Sequence, residues 1–412
     1  MGTNHTCPPM PILRHHHRGQ PLAVVGITHS QTCLVLRGRL RALRAAGFRV
    51  IVVSSPGVLL DQLAAEEGAG KLAIAMGRGM TPLADVRSFF GLWSALRRLR
   101  PQITEFSTPK AGLLGNLAAA LCGVPTRIYM LRGLRLETAS GNRRMLLRAA
   151  EWVASSCAHQ VVCNSESLRG QAIALGIAPA EKLRLIANGS SNGVDVERFS
   201  PGPNDLRARL GIPDGAPVIG FVGRLTRDKG VPILLEAFEN MLKIVPRARL
   251  LLVGWFDESE DALSHAQRAL IRSHPHILRT GFVKNTAPWY RAMDVLVLPT
   301  RREGFPNVVL EAAASGVPVI TTLVTGARDA VLPGRTGILV PPQDPLAVTE
   351  AIARLLFDPA LRASMGTAAR QWVTERFEER RVLELTLEHY QELLNAPRGA
   401  MALSKRVAAP AD

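Results

Sequence analysis

The sequence predicts an α/β protein of two βαβ domains that face each other across a cleft. Three observations support that expectation. The chain has 412 residues, 47% of them hydrophobic and 20% charged, the composition of a globular protein too long for one ordinary domain. Strand-length apolar runs alternate with helix-period segments, and this alternation occurs twice. A turn-rich stretch, Asn188 to Pro217, separates the two series.

In the first series, Leu22 to Ile27, Arg49 to Ser54, Leu72 to Ala75, Gln102 to Phe106, Thr126 to Leu131 and Gln160 to Cys163 form a parallel sheet, with Lys182 to Ile186 as an edge strand. In the second, strands begin at Val218, Arg249, Ile277, Asp294, Val317 and Gly337. A run such as Val295-Leu296-Val297-Leu298 has no polar alternation, which suits a parallel strand covered on both faces. The expected division is a tail at 1–20, domains at 21–195 and 196–377, a last helix at 378–396 (Glu378 to Leu394 at its core) and a tail at 397–412. Both tails have the composition of disordered segments, and no internal repeat is present.

Several function classes are disfavoured. No run of eighteen uncharged apolar residues occurs, and the basic, Pro-rich start lacks the apolar core of a secretory signal, so the chain is expected in the cytoplasm. The five cysteines, Cys7, Cys33, Cys122, Cys157 and Cys163, are odd in number and scattered, which predicts reduced thiols. Cys157, His159 and Cys163 do not supply four well-spaced zinc ligands, and His15-His16-His17 lies in the first tail, so no metal is expected.

The formal net charge of +16 is unevenly spread: 23 Lys and Arg against 10 Asp and Glu up to Asp195, and 27 against 24 beyond it. Two segments concentrate the excess. Phe89, Leu92, Trp93, Leu96 and Leu99 recur at helical spacing before Arg97, Arg98 and Arg100, and Arg143-Arg144-Met145-Leu146-Leu147-Arg148 opens a helix reaching Trp152. Each reads either as a core-facing helix with arginines in water or as a basic helix on anionic lipid; the core-facing reading is preferred for the first. A nucleic-acid partner is not expected, because aromatics are only 5% of residues and no binding module interleaves them with the basic runs.

Chemistry concentrates after the apolar run ending at Pro299. In Glu303-Gly304-Phe305-Pro306-Asn307-Val308-Val309-Leu310-Glu311, Gly304 permits a tight turn and Pro306 suits a first helical turn. Glu311 then lies about a turn and a half into the helix and looks back toward Glu303. Ionised carboxylates only accept hydrogen bonds, and neighbouring sugar hydroxyls donate them. The amides of Phe305 and Asn307 at the helix start are open to further oxygens. A second strand-to-loop junction, Gly220-Phe221-Val222-Gly223, leads into Arg224-Leu225-Thr226-Arg227-Asp228-Lys229-Gly230. It puts a guanidinium fork and a point charge at the carboxyl end of a strand, a combination suited to a diphosphate. The spacing is not the GxGxxG of a dinucleotide site.

Taken in order, Gly223-Arg224…Lys229-Gly230, Leu252-Val253-Gly254, Gly281-Phe282-Val283, Glu303 to Glu311 and Gly316-Val317-Pro318-Val319-Ile320 resemble the family 4 retaining glycosyltransferases of GT-B fold. Ser107 to Gly112, Arg132-Gly133-Leu134, Asn188 to Asp195 and Thr325 to Asp329 resemble its capsule and exopolysaccharide branch. The resemblance runs from about Val24 to Tyr390 and is specific to fold and donor site, not to the sugar.

The resemblance implies an acceptor-binding first domain, a donor-binding second domain and a last helix that crosses back to the first. It implies that Arg224 and Lys229, beside Gly223, neutralise the donor's diphosphate. Glu311 would hold the ribose, Glu303 would hold hydroxyls of the transferred sugar, and Gly304, Phe305 and Asn307 would line the site. Phe282 and Val283, followed by Lys284, would pack by the base. It further implies a nucleotide sugar, UDP-linked by family weight, as donor, and a hexosyl or N-acetylhexosaminyl group transferred with retention by front-face attack. No cofactor is implied, and the absence of an obvious DxD pair fits metal independence. If the basic first domain rests peripherally on a bilayer, a lipid-diphosphate-linked saccharide is the natural acceptor, used at the cytoplasmic face of a bacterial inner membrane; the alternative is a soluble acceptor.

Two departures from the family pattern concern the sugar side. Thr28-His29-Ser30-Gln31-Thr32 replaces a glycine-rich turn, which brings Ser30 forward, and Arg132 stands where many relatives have a histidine. Lys110, just after a first-domain strand, is expected either to face the cleft on the acceptor side or to be a solvated loop lysine. Two rival readings are a GT-B nucleotide-sugar epimerase, which would need acid and base groups around the sugar, and a noncatalytic basic binding protein.

Overall fold

Two parallel sheets, joined by helices, make up the protein; the computed structural model describes residues 19–77, 79 and 81–395. The expectations for the tails, including Cys7 and His15 to His17, fall outside the described residues. The first sheet contains β1 (Leu22–Gly26), β2 (Arg49–Ser54), β3 (Gly70–Ala73), β4 (Ile103–Ser107), β5 (Thr126–Leu131), β6 (Gln160–Cys163) and β7 (Leu183–Leu185), in the order β3-β2-β1-β4-β5-β6-β7. The second contains β8 (Val218–Val222), β9 (Arg249–Val253), β10 (Ile277–Arg279), β11 (Val295–Leu298), β12 (Val319–Thr322) and β13 (Gly337–Val340), in the order β10-β9-β8-β11-β12-β13. Each order reverses at its first strand, so β1 lies between β2 and β4, and β8 between β9 and β11. At such a reversal neighbouring connections leave to opposite faces and open a crevice at the carboxyl ends.

The third strand begins two residues before the expected Leu72, because Gly70 pairs with Ile51. Its outward-facing residues are exposed, so it carries no apolar run to mark its start.

The second domain is built on one continuous core, while the first sheet is covered on both faces. On one face, Leu92 and Leu96 of the helix Pro82–Leu99 pack with Ala111, Leu114 and Ala118 of the helix Pro109–Leu121 over Val24 and Phe106. The core-facing reading of the first basic segment therefore holds for that stripe. On the other face, Leu387 and Tyr390 of the last helix, Glu379–Asn395, join Val25, Ile103 and Ile128. Full burial of one such side chain contributes roughly 1.5–3 kcal/mol. Tyr390 also meets Phe48 edge-on at 6.0 Å and donates from its hydroxyl to Glu105 Oε2 at 2.6 Å. Glu105 is at the same time the partner of Arg39, both fully buried. The chain thus returns to its first domain, as the GT-B resemblance implies.

His159 and Cys163 have structural surroundings. His159 Nδ1 accepts from the Arg127 amide at 3.1 Å, and burial pushes the Cys163 thiol up to about 12.

Candidate active site

The carboxyl end of the first sheet faces that of the second, where the segment after β5 meets those after β9 and β11: Gly133 lies against Gly304, and Arg135 reaches Glu260. The loop after β8 carries Arg224 and Lys229 and closes at Gly230, which has φ +75°. A Cβ at Gly230 would stand 1.8 Å from the Pro299 carbonyl at the end of β11. Only glycine lets these two loops nest so closely. The result is an ion pair: Lys229 Nζ donates to Glu303 Oε1 at 2.5 Å. Thr300 Oγ1 donates to the carbonyls of Asp228 and Arg302, each at 3.1 Å, and ties the loops from below.

Arg224 is held from two sides, Nη1 donating to Asp257 Oδ2 at 3.0 Å and Nη2 lying 3.5 Å from Asp228 Oδ2. Burial opposes the Arg224 charge, but the two carboxylates outweigh it and raise its pKa. Burial likewise opposes the Asp257 charge, yet hydrogen bonds from Ser259 and Arg224 bring its pKa down to about 2. Arg302 joins the cluster at 3.1 Å from Asp261. The sequence presents Arg224 and Lys229 as free cations; the structure pairs both with carboxylates. Asp257 was not legible, being 33 residues from Arg224 and outside any motif.

Gly304 lies at a bend but outside the left-handed region. Its missing Cβ would have stood 2.1 Å from the Arg132 carbonyl, so its role is close approach between the domains. The helix Asn307–Ala314 starts one residue later than expected, with Pro306 as the flanking residue rather than inside the first turn. Phe305 is buried with its ring 5.2 Å from Phe377, and Asn307 Oδ1 accepts from Ser190 Oγ of the interdomain connection at 3.2 Å. Glu311 accepts from Tyr290 at 2.7 Å and from Thr286 at 3.3 Å, both on Oε2. Burial raises its pKa, with those two hydrogen bonds opposing. Its Oε1 makes no hydrogen bond among the described residues. Near Glu311's side of the site, half-exposed Phe282 meets Trp255 edge-on at 5.4 Å, and Val283 is partly buried. Gly223 ends β8 beside Gly254, whose Cβ would clash with the Gly223 carbonyl.

The first-domain residues are placed differently. Ser30 is buried; its amide donates to Ser55 Oγ at 3.1 Å and its hydroxyl packs on Gly57. Lys110 Nζ is taken by Asp85 Oδ1 and the Gly79 carbonyl, each at 2.5 Å, within its own domain. Arg132 presents its carbonyl to Gly304, while its guanidinium turns to Ser191 Oγ. Burial and the nearby Arg39 charge lower the Arg132 pKa to about 10, against the pull of Glu105. The structure therefore brings Arg224, Lys229, Glu303 and Gly304 together with the Arg132 backbone, but does not bring Ser30 or the Lys110 ammonium to them.

Further contacts hold the domains shut. Thr325 donates to Glu137 at 2.6 Å, the Ser167 amide donates to Asp329 at 3.2 Å, and the Gly326 amide donates to Ser167 Oγ at 2.8 Å. Lys284 reaches Glu66 at 3.2 Å, and Glu260 takes both Arg135 and Arg143. A cavity of about 470 Å³ lies beside the first group, lined in part by Glu137, Ser167, Arg301 and Arg328.

Comparison with known proteins agrees with this fold. A family model described as glycosyl transferases group 1 matches residues 216–358, and one described as glycosyl transferase 4-like domain matches residues 35–189. The chain is 34% identical over 374 residues to the capsular polysaccharide biosynthesis glycosyltransferase CapM of Staphylococcus aureus, covering 90% of this chain and 97% of that one. It is 27% identical to the UDP-Gal:alpha-D-GlcNAc-diphosphoundecaprenol alpha-1,3-galactosyltransferase of Escherichia coli, over 69% of this chain and 74% of the relative. Among solved structures, sucrose-phosphate synthase of Thermosynechococcus elongatus superposes with a TM-score of 0.75 at 22% identity, covering 90% of this chain and 99% of that one. HepE of Anabaena, in complex with UDP-glucose, gives 0.74 at 20% identity, with 90% and 99% covered. These two likenesses speak to the fold alone.

Proposed function

Because this chain belongs to the group 1, or family 4, glycosyltransferases and has their GT-B fold, we propose that it moves a hexosyl or N-acetylhexosaminyl group from a UDP-linked sugar to a lipid-diphosphate-linked saccharide. The product would serve cell-surface polysaccharide biosynthesis. The observation that carries the reading is the meeting of Lys229, Glu303 and Arg224 beside β8, where the order of the second sheet reverses. The printed names of the two relatives, capsular polysaccharide biosynthesis for one and UDP-Gal with a diphosphoundecaprenol-linked acceptor for the other, support the substrate classes.

In the proposed reaction the donor's diphosphate takes Lys229 and the open edge of Arg224. Glu303, released from Lys229, accepts hydroxyls of the transferred sugar, and Glu311 Oε1 accepts from the ribose. The bond from C1 to the acceptor oxygen forms on the face from which the bond to phosphate breaks, and the acceptor's proton passes to the departing phosphate oxygen. Arg224 and Lys229 meet the charge that grows there, an effect worth several kcal/mol in a site already organised for it. They supply the cationic charge a metal would otherwise bring, so transfer is proposed to be metal-independent and retaining. Asp257 and Asp228 keep Arg224 in place while Lys229 changes partner.

Thermal-shift binding against a panel of nucleotide-diphosphate sugars, with and without EDTA, tests the donor site. Stabilisation by one UDP-sugar that survives EDTA is the expected result. A folded protein that no nucleotide sugar stabilises would overturn it.

A further inference from the structure

Seven of the fourteen large apolar side chains that stand exposed among the described residues lie on three adjacent helices of the first domain. They are Leu83, Val86 and Phe90 on Pro82–Leu99, Leu121 on Pro109–Leu121, and Met145, Leu146 and Trp152 on Gly141–Cys157. Leu83 is 84% exposed and Met145 72%. Positions 83, 86 and 90 form an outward stripe distinct from the buried one of Ser88, Leu92, Ala95 and Leu96. An apolar stripe that avoids its own core is the unusual observation here.

The charge on this face has one sign. The flanking helices carry one carboxylate each, and both are consumed: Asp85 by Lys110 at 2.5 Å, and Glu151 buried under the Tyr129 hydroxyl at 2.6 Å. Arg87, Arg97, Arg98, Arg144 and Arg148 are exposed and form no ion pair among the described residues. Helices that follow parallel strands start at the carboxyl ends, so Leu83, Val86, Met145 and Leu146 sit at the cleft rim. Arg143 confirms that position by reaching Glu260 of the second domain.

We propose that this face docks on an anionic lipid bilayer, with the apolar side chains entering the interface and the arginines meeting headgroups. Exposure and charge carry the surface itself; its purpose, presenting the cleft mouth to a membrane-borne diphosphate, rests on the acceptor proposed above.

Co-sedimentation of the full chain with phosphatidylcholine vesicles, alone or mixed with phosphatidylglycerol, tests it. Two exposed-site variants serve as controls, Phe90→Ser/Leu146→Ser/Trp152→Ser and Arg144→Glu/Arg148→Glu, each checked by thermal unfolding. The wild type is expected to pellet with the anionic vesicles in a salt-sensitive way, and each variant to lose about tenfold in vesicle affinity. Donor-induced thermal stabilisation should persist in both. A wild type that stays in the supernatant, pellets equally with neutral vesicles, or pellets no better than its variants would overturn the proposal. Vesicle binding without any donor response would instead sink the donor reading and leave this surface standing.

Discussion

Lys229 Nζ lies 2.5 Å from Glu303 Oε1. The cation proposed for the donor's diphosphate and the carboxylate proposed for its sugar are each other's partner, so the donor binding proposed above would exchange the partners of both.

Glu303→Gln should bind UDP at least as tightly as the wild type, since Lys229 no longer has a charged partner to leave, while transfer falls sharply. Lys229→Ala should lower kcat by about a hundredfold to a thousandfold, the usual scale for losing one preorganised charge at a transition state. Calorimetric UDP binding and steady-state kinetics measure both. Weaker UDP binding by Glu303→Gln would count against the exchange.

Asp257 acts through Arg224. Asp257→Asn should raise the donor KM about tenfold with a smaller change in kcat, as a guanidinium deprived of a charge-assisted bond loses its fixed position. Its pKa is depressed, so the stability it contributes is present above about pH 4 and is lost as pH falls toward about 2. Unfolding measured across that window should show a smaller pH dependence in the variant; identical curves would remove this role.

Gly304→Ala would place a methyl group 2.1 Å from the Arg132 carbonyl. The domains should stay folded but be unable to close, giving a larger radius of gyration in solution scattering and at least about a tenfold drop in kcat, as expected when catalytic groups miss their geometry. Unchanged scattering and turnover would show that closure does not need this contact.

Burial pushes the Glu151 carboxyl up to about 7. A raised folded pKa contributes stability that is complete below the unfolded value of about 4.5 and lost as pH rises through about 7. Glu151→Gln should therefore gain up to about 3 kcal/mol relative to the wild type between pH 5 and pH 8. Parallel denaturation at the two pH values checks it, and a constant difference would refute it.

The strands were readable because buried parallel strands are unbroken apolar runs, as at Val295–Leu298. Glu303 and Glu311 stood out as candidates because a loop and a helix start fix their spacing locally. Asp257, Thr286 and Tyr290 were not, because each reaches its partner only through the tertiary fold. The purpose of Gly304 depends on Arg132 in the other domain, and local turn chemistry pointed elsewhere. In Pro82–Leu99 the periodic stripe from Phe89 to Leu99 drew the eye to the core. It hid a second stripe from Leu83 to Phe90 on the same helix.

The Tyr390 contact also governs how the protein is made. Leu387 and Tyr390 complete one face of the first sheet and help enclose Arg39 and Glu105, yet they are translated only after the whole second sheet. Until then Leu40, Leu43, Leu60 and Leu63 cover that face only in part. Premature termination anywhere before Tyr390 therefore yields a first domain with an open apolar flank, even when every one of its strands is present.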